Sequence, residues 1–430
     1  MSTISQNLTR LQTAKTAIAD AIVVKGGTVN SGDGFEDFSF DVLTIPTSTT
    51  PKAYLEFTGT RPFTLRTWYS STTWKGTIEY STDSDNWTIW TDPSTNELSS
   101  NDKNKLFLRG YDNTSMTNIY SSGSLGDPTT FVFTTDGTIT CSGKLESLLD
   151  FRLVAFGYEP KKDKACFKYL FSGCSQLTNV PEFRTDILTE QCFYAMFRNC
   201  TSLVTAPNLS ATELTAQCYC EMFSGCTSLL NVQSELPALT LVSGCYSYMF
   251  NGCTSLEEAP DIAATSANMS SSGYTGSCFC MFNGCSSLIK APTELYISQP
   301  TYRFYECMFK NCTSLQVPPI IDATASLAGQ STYGKVFYQM FYNCTSLSKL
   351  PYINVKTLRQ NDCQEMFYGC SNIRLSTTKT GDYQTSYRIP TTGTGSVGTN
   401  GLSDMFTNTG GTFTGTPSIN TTYYTSNEVI

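Results

Sequence analysis

Eighteen cysteines and no histidine stand in a chain of 430 residues, and the cysteines hold the most regular spacing. Cys174, Cys200, Cys226, Cys253, Cys285, Cys312, Cys344 and Cys370 follow one another at steps of 26, 26, 27, 32, 27, 32 and 26 residues. Zinc binding, thiol redox chemistry, disulfide bridging and plain packing could each use such a row. Structural zinc favours paired CxxC ligands. The nearest approach is Cys218-Tyr-Cys220 and Cys278-Phe-Cys280, where a single residue separates the thiols. Disulfides need an oxidising compartment. The expectation is a structural ladder of buried thiols, each acting as a small apolar residue. A looser set, Cys166, Cys192, Cys218, Cys245, Cys307 and Cys363, precedes the Met-Phe pairs and reads as further plugs of the same core.

Without histidine, Ser-His-Asp, Cys-His and HExxH sites are impossible. No phosphate loop, dinucleotide fingerprint or nucleophile elbow appears, so no cofactor or metal is expected. A carboxylate pair of the glycosidase kind remains open, but nothing singles out two acids, and the expectation is not an enzyme. The net charge is −8 with no basic run, which argues against nucleic acid as a partner. MSTISQNLTR lacks the apolar core of a signal peptide, and no apolar run is long enough for membrane insertion.

The elements that would position these residues fall into regions. Residues 1–45 carry Ile4, Leu8, Leu11, Ile18 and Ile22 near one face of an expected helix, a docking or oligomerisation segment. Residues 46–150 alternate apolar and polar positions in KAYLEFTG, FTLRTWY, GTIEYS, NWTIWT, KLFLRGY and TTFVFTTDGTITCSG, as an all-β sandwich does. All four Trp (68, 74, 87 and 90) lie here. They suit a core, while an exposed pair would stack on a sugar. Asp83, Asp85 and Asp92 lack calcium-loop spacing and read as turn residues.

Residues 151–375 repeat a unit seen in AMFRNCTSLVTAP, EMFSGCTSLLNVQ and CMFNGCSSLIKAP. A fixed period of this size predicts stacked repeats. CFYAMFRNC (192–200) reads as a short helix and LVTAP (203–207) as a short strand, giving a solenoid of the leucine-rich-repeat kind. The whole chain is then expected to be mixed α/β and multidomain. Residues 376–430, with a degenerate copy at DMFTNTGGTF (404–413), would close its end. The two 32-residue steps carry insertions, and Ser270, Tyr274, Thr275, Gln330, Thr332 and Tyr333 in them are the candidate ligand-binding residues.

The unit MFxxC(T/S)SLxxxP resembles the BspA-like leucine-rich repeats of bacterial surface proteins, over about residues 166–375. The region before it is similar, more loosely, to the β-sandwich that precedes such repeats. Leu11–Val42 is similar to N-terminal segments of phage virion proteins, particularly tail, baseplate or head-appendage components. Together the resemblances imply an adhesion protein exposed on a virion. Other virion proteins would hold its N-terminal segment, host-surface glycan or protein would be its target, and it would be a homo-oligomer. A bacterial cell-surface adhesin is the alternative, and a glycan-cleaving enzyme a further one.

Overall fold

The computed structural model describes residues 53–68, 74–119, 125–184, 186–268, 276–296, 301–323 and 334–430, together with Gln12, Lys15, Thr16, Ile18 and Ala19. The first of these segments fold as antiparallel sheets. A five-stranded sheet runs in the order Ile139–Gly143, Leu55–Gly59, Lys105–Tyr111, Thr77–Ser81 and Thr88–Ile89. A three-stranded sheet follows the order Leu98–Ser99, Thr64–Thr67 and Phe131–Thr134. Alternation sets the faces: Leu55 and Phe57 are buried from one sheet, Phe131 and Phe133 from the other. Phe57 meets Phe133 at 5.2 Å between ring centroids and Phe131 at 6.2 Å. Asp83 closes the turn after Thr77–Ser81, accepting hydrogen bonds from the amides of Asp85 and Asn86 and from the Asn86 side chain. These bonds, first of all that of the Asn86 side chain, hold its carboxyl well below the usual range.

The repeats overturn the expected leucine-rich-repeat solenoid of helix plus strand per coil. The chain is mostly strand and turn, its coils do not close as such a solenoid does, and Ser147–Ala155 is the one α-helix with described bounds. Each Met-Phe segment is instead a run of turns. The physical cause is a left-handed residue at every fourth position: Gln191, Ala195 and Asn199 in one copy, Gln217, Glu221 and Gly225 in the next. An α-helix needs right-handed φ throughout, so its i→i−4 ladder never forms. Of the expected N-terminal helix only the five residues named above are described, and they are helical; the rest of residues 1–45 lie outside the described residues.

The turn backbone divides its amides between two tasks. In the third copy Cys220, Met222, Ser224 and Cys226 donate three residues back, to Gln217, Tyr219, Glu221 and Phe223. The alternate amides, of Tyr219, Glu221, Phe223 and Gly225, donate to Cys245, Ser247, Met249 and Asn251 of the following copy. Copies therefore stack as strands do, with every inward amide satisfied. The chain between turn segments adds short parallel pairings, such as Glu294–Tyr296 with Ile320–Ala323 and that strand with Ile353–Val355.

The cysteine row has a specific place in this stack. The Cys226 thiol donates to the Phe197 carbonyl of the preceding copy at 3.0 Å. Cys200, Cys253, Cys285, Cys312, Cys344 and Cys370 repeat that bond at 2.9–3.2 Å, and Cys174 makes it to Phe131 at the end of the sheet. Beside them runs a column of parallel rings. Phe171, Phe197, Phe223, Phe250, Phe282, Phe309, Phe341, Phe367 and Phe406 follow each other at 5.3–5.8 Å, tilted by 1–11°. Phe171, the first ring, also packs on Phe57 and Phe131, so the sheets and the stack share one core.

Two outcomes follow. Replacing Cys226 with Ala removes the hydrogen bond and leaves a void, costing about 1–2 kcal/mol; Cys226→Ser keeps a donor and should cost less. A denaturant midpoint for Cys226→Ala equal to that of the parent chain would refute the bond's contribution. Burial also pushes the Cys226 and Cys285 thiols from an ordinary 9.0 up to about 12. Above pH 9 the unfolded chain sheds thiol protons that the folded chain keeps, so stability present below that pH is lost as pH rises toward 12. A melting temperature that stays flat across this alkaline window would contradict it.

Candidate functional site

The four tryptophans divide sharply. Trp74 and Trp90 are core residues, 6.0 Å apart. Trp87 is half-buried under the Arg109 guanidinium, 4.1 Å from its ring centre. Trp68 is 64% exposed, although it directly follows the strand Thr64–Thr67 and its amide is tied to the Thr130 carbonyl at 3.0 Å. The backbone is thus anchored while the indole stands free, the condition under which an aromatic surface binds rather than packs.

Trp68 forms one wall of a cleft of about 500 Å³ where the three-stranded sheet meets the first repeat copy. Thr130, Val132, Tyr169, Ser172 and Gln176 also line it, over a floor that includes Phe131 and Phe133. Both walls are braced. Phe131 donates from its amide to the Leu170 carbonyl at 2.8 Å and accepts the Cys174 thiol. Tyr169 is held in the left-handed region at φ 58° and lies edge-on to Tyr194 at 5.6 Å. Burial raises the Tyr169 phenol above its ordinary value, so it stays a protonated hydroxyl. The lining offers two aromatic faces and several neutral hydroxyl and amide groups, and no carboxylate or cation is among its described residues. Neutral polar rings, such as those of sugars, match that chemistry.

A smaller cavity of about 300 Å³ adjoins the helix Ser147–Ala155, lined by Lys144, Glu146, Tyr158, Glu159, Glu182 and Arg184 among others. Two of its acids, Glu146 and Glu159, are already engaged. The buried Lys162 ammonium sits 3.3 Å from Glu146 and also pairs with Glu159, which Arg184 approaches at 3.5 Å. Burial pushes the Glu146 carboxyl up, with Lys162 opposing. A glycosidase pair needs one acid free to protonate and another free to attack, and this cluster instead pins the chain after the helix to the second copy.

The residues expected to bind ligand, Ser270, Tyr274, Thr275, Gln330, Thr332 and Tyr333, lie outside the described residues, as do Ile4, Leu8, Leu11 and Ile22 of the expected docking face. Ile18 is helical and 40% exposed. The eight repeat cysteines are brought into one row at 0–2% exposure. Among the described residues no group of three or more Cys, Asp or Glu side chains converges as metal ligands would, and no helix is long and apolar enough to cross a membrane. The cleft escaped sequence reasoning because Trp68 ends an alternating strand like its core neighbours. The Ser-Ser-Thr that follows it at 70–72 was the available sign that the strand stops there.

Trp68→Ala should leave folding within about 0.5 kcal/mol, as for an exposed side chain. It should weaken glycan binding by roughly 0.5–1.5 kcal/mol, the worth of one aromatic contact. Binding to immobilised bacterial surface polysaccharide, measured beside a thermal melt, checks both. Comparison with protein-family models, curated proteins and solved structures returns no match to this chain.

Proposed function

We propose that this chain is a structural adhesion protein of a bacteriophage particle, carried as a head or tail appendage and presenting a surface for host glycan or protein. The observation that carries the adhesion reading is Trp68, 64% exposed on a braced cleft with no charged group among its described residues. The stacked copies suit the role of a stiff support. Their alternate amides and the eight repeat thiols are used in holding neighbour to neighbour, which leaves recognition to places where the stack is interrupted. Placement on a particle rests on the similarity of Leu11–Val42 to phage virion segments. Several copies on one particle would turn weak single contacts into avidity.

Removal of residues 1–45 tests the placement. The shortened chain should fold with the same melting temperature but fail to enter particles when supplied to an infected host in place of the full chain. Particles that incorporate it at the normal level would remove the docking role and leave a cell-surface adhesin as the better reading.

A further inference from the structure

Cys280 and Cys307 differ from every other cysteine in the chain. They are the two most exposed of the eighteen, at 7% and 8%, and they belong to a small cluster with Phe279 and Tyr248, separate from the main core. Each stands two residues before its copy's column Phe, at a left-handed position (φ 50° and 55°) that Glu221, Gln339 and Glu365 occupy in other copies. Their copies are consecutive, and the Cys280 amide donates to the Glu306 carbonyl beside Cys307 at 2.9 Å. Matched residues of hydrogen-bonded neighbours stand about 4.8 Å apart. That lies within the roughly 4.4–6.8 Å between Cα atoms that a disulfide requires. Because the two backbones share one conformation, their Cβ atoms leave in the same direction.

The surroundings favour reaction. The eight repeat thiols are committed to Phe carbonyls, whereas Cys307 points at the Gln339 side-chain oxygen at 3.6 Å and takes a hydrogen bond from the Cys280 thiol. Lys310 stands at the same oxygen, 2.7 Å away, and Arg303 lies 4.4 Å over the Phe279 ring while pairing with Glu306. Donation from Cys280 holds the Cys307 thiol below its ordinary range, with Lys310 and Arg303 adding to the effect against burial and Glu306. A thiol held low beside a second one is the kind that oxidises reversibly; Cys280, which donates to it, is pushed correspondingly up.

We propose that Cys280 and Cys307 are a peroxide-oxidisable pair that closes a disulfide between adjacent copies, in the two copies that the long insertions flank. The Cys307 thiolate attacks one peroxide oxygen; an S–O bond forms, the O–O bond breaks, and hydroxide leaves to become water. The Cys280 sulfur then attacks the sulfenic sulfur. An S–S bond forms, the S–O bond breaks, and the departing oxygen takes the remaining proton as a second water. Two thiols lose two electrons and two protons, and one hydrogen peroxide becomes two waters.

The test treats the full chain with stoichiometric hydrogen peroxide, alkylates the remaining thiols in denaturant, and maps unreduced peptides by mass spectrometry. A Cys280–Cys307 crosslink should be the first product and should disappear with dithiothreitol, while the core cysteines are recovered alkylated. A different pair linking first, or both residues recovered as free thiols, would overturn the proposal. In Cys280→Ser the sulfenic acid on Cys307 has no resolving partner, so dimedone should label Cys307 far more than in the parent chain. Equal labelling of the two would also sink it.

Discussion

The Phe carbonyl at the end of each turn segment accepts two hydrogen bonds, one from an amide of its own copy and one from a thiol of the next. The Phe197 oxygen takes the Cys200 amide at 3.1 Å and the Cys226 thiol at 3.0 Å. A carbonyl has two lone pairs, so the first bond closes the turn and the second joins copies without competition. The donor must be small enough to lie beside a stacked ring and apolar enough to stay dry, and a thiol meets both conditions. The last copy shows the arrangement ending. Thr409 stands where the cysteine would, and its hydroxyl turns back to the Phe406 carbonyl of its own copy, so the Phe367 oxygen keeps only the amide of Cys370.

Once that bond sets the register, the rest of the stack follows. The column of rings keeps nearly constant tilt because each Phe is carried by the same left-handed turn at the same height. Glycine or asparagine closes most copies for the same reason. Gly225 at φ 75° sits against the Asn199 side-chain oxygen, where an added Cβ would come within 2.2 Å, so a side chain there would have to displace the Asn199 amide. A stack of this kind has two open ends. The antiparallel sheets meet the first, supplying the Met116 and Phe131 amides to Cys166 and Leu170. At the other, Tyr387 lies edge-on to Phe406, and its strand Thr385–Arg388 pairs with Thr422–Thr425.

Much of this organisation was legible in the residues, and the part that was not has a definite cause. The spacing of the cysteines gave the copies, and alternation marked GTIEYS and NWTIWT as strands, which pair as Thr77–Ser81 with Thr88–Ile89. Local conformation inside a copy was misread. Cys192, Met196 and Cys200, like Phe193 and Phe197, recur every fourth residue, and an α-helix and a chain of four-residue turns place such residues on one face alike. What separates the two is the handedness of the residue between them. Ala195 at φ 50° and Glu221 at φ 56° are poor left-handed formers taken singly. The neighbouring copy's carbonyls hold them there, an influence that no window of one copy contains.

The same constraint decides where a ligand can be met. A stack in which each copy repeats the last presents a uniform face, and the backbone amides of its turn segments are already paired. A cleft needs a change of rule. The described residues provide one where the strand Phe131–Thr134 becomes the partner of the first turn segment. There the sheet and the first copy leave a gap lined by Trp68 and Tyr169, and Phe131 packs on Phe57 of one and Phe171 of the other. The backbone at that junction is tied on both sides, by the Trp68 amide to Thr130 and by the Phe131 amide to Leu170. An exposed Trp anchored there gives up little side-chain freedom when a partner covers it.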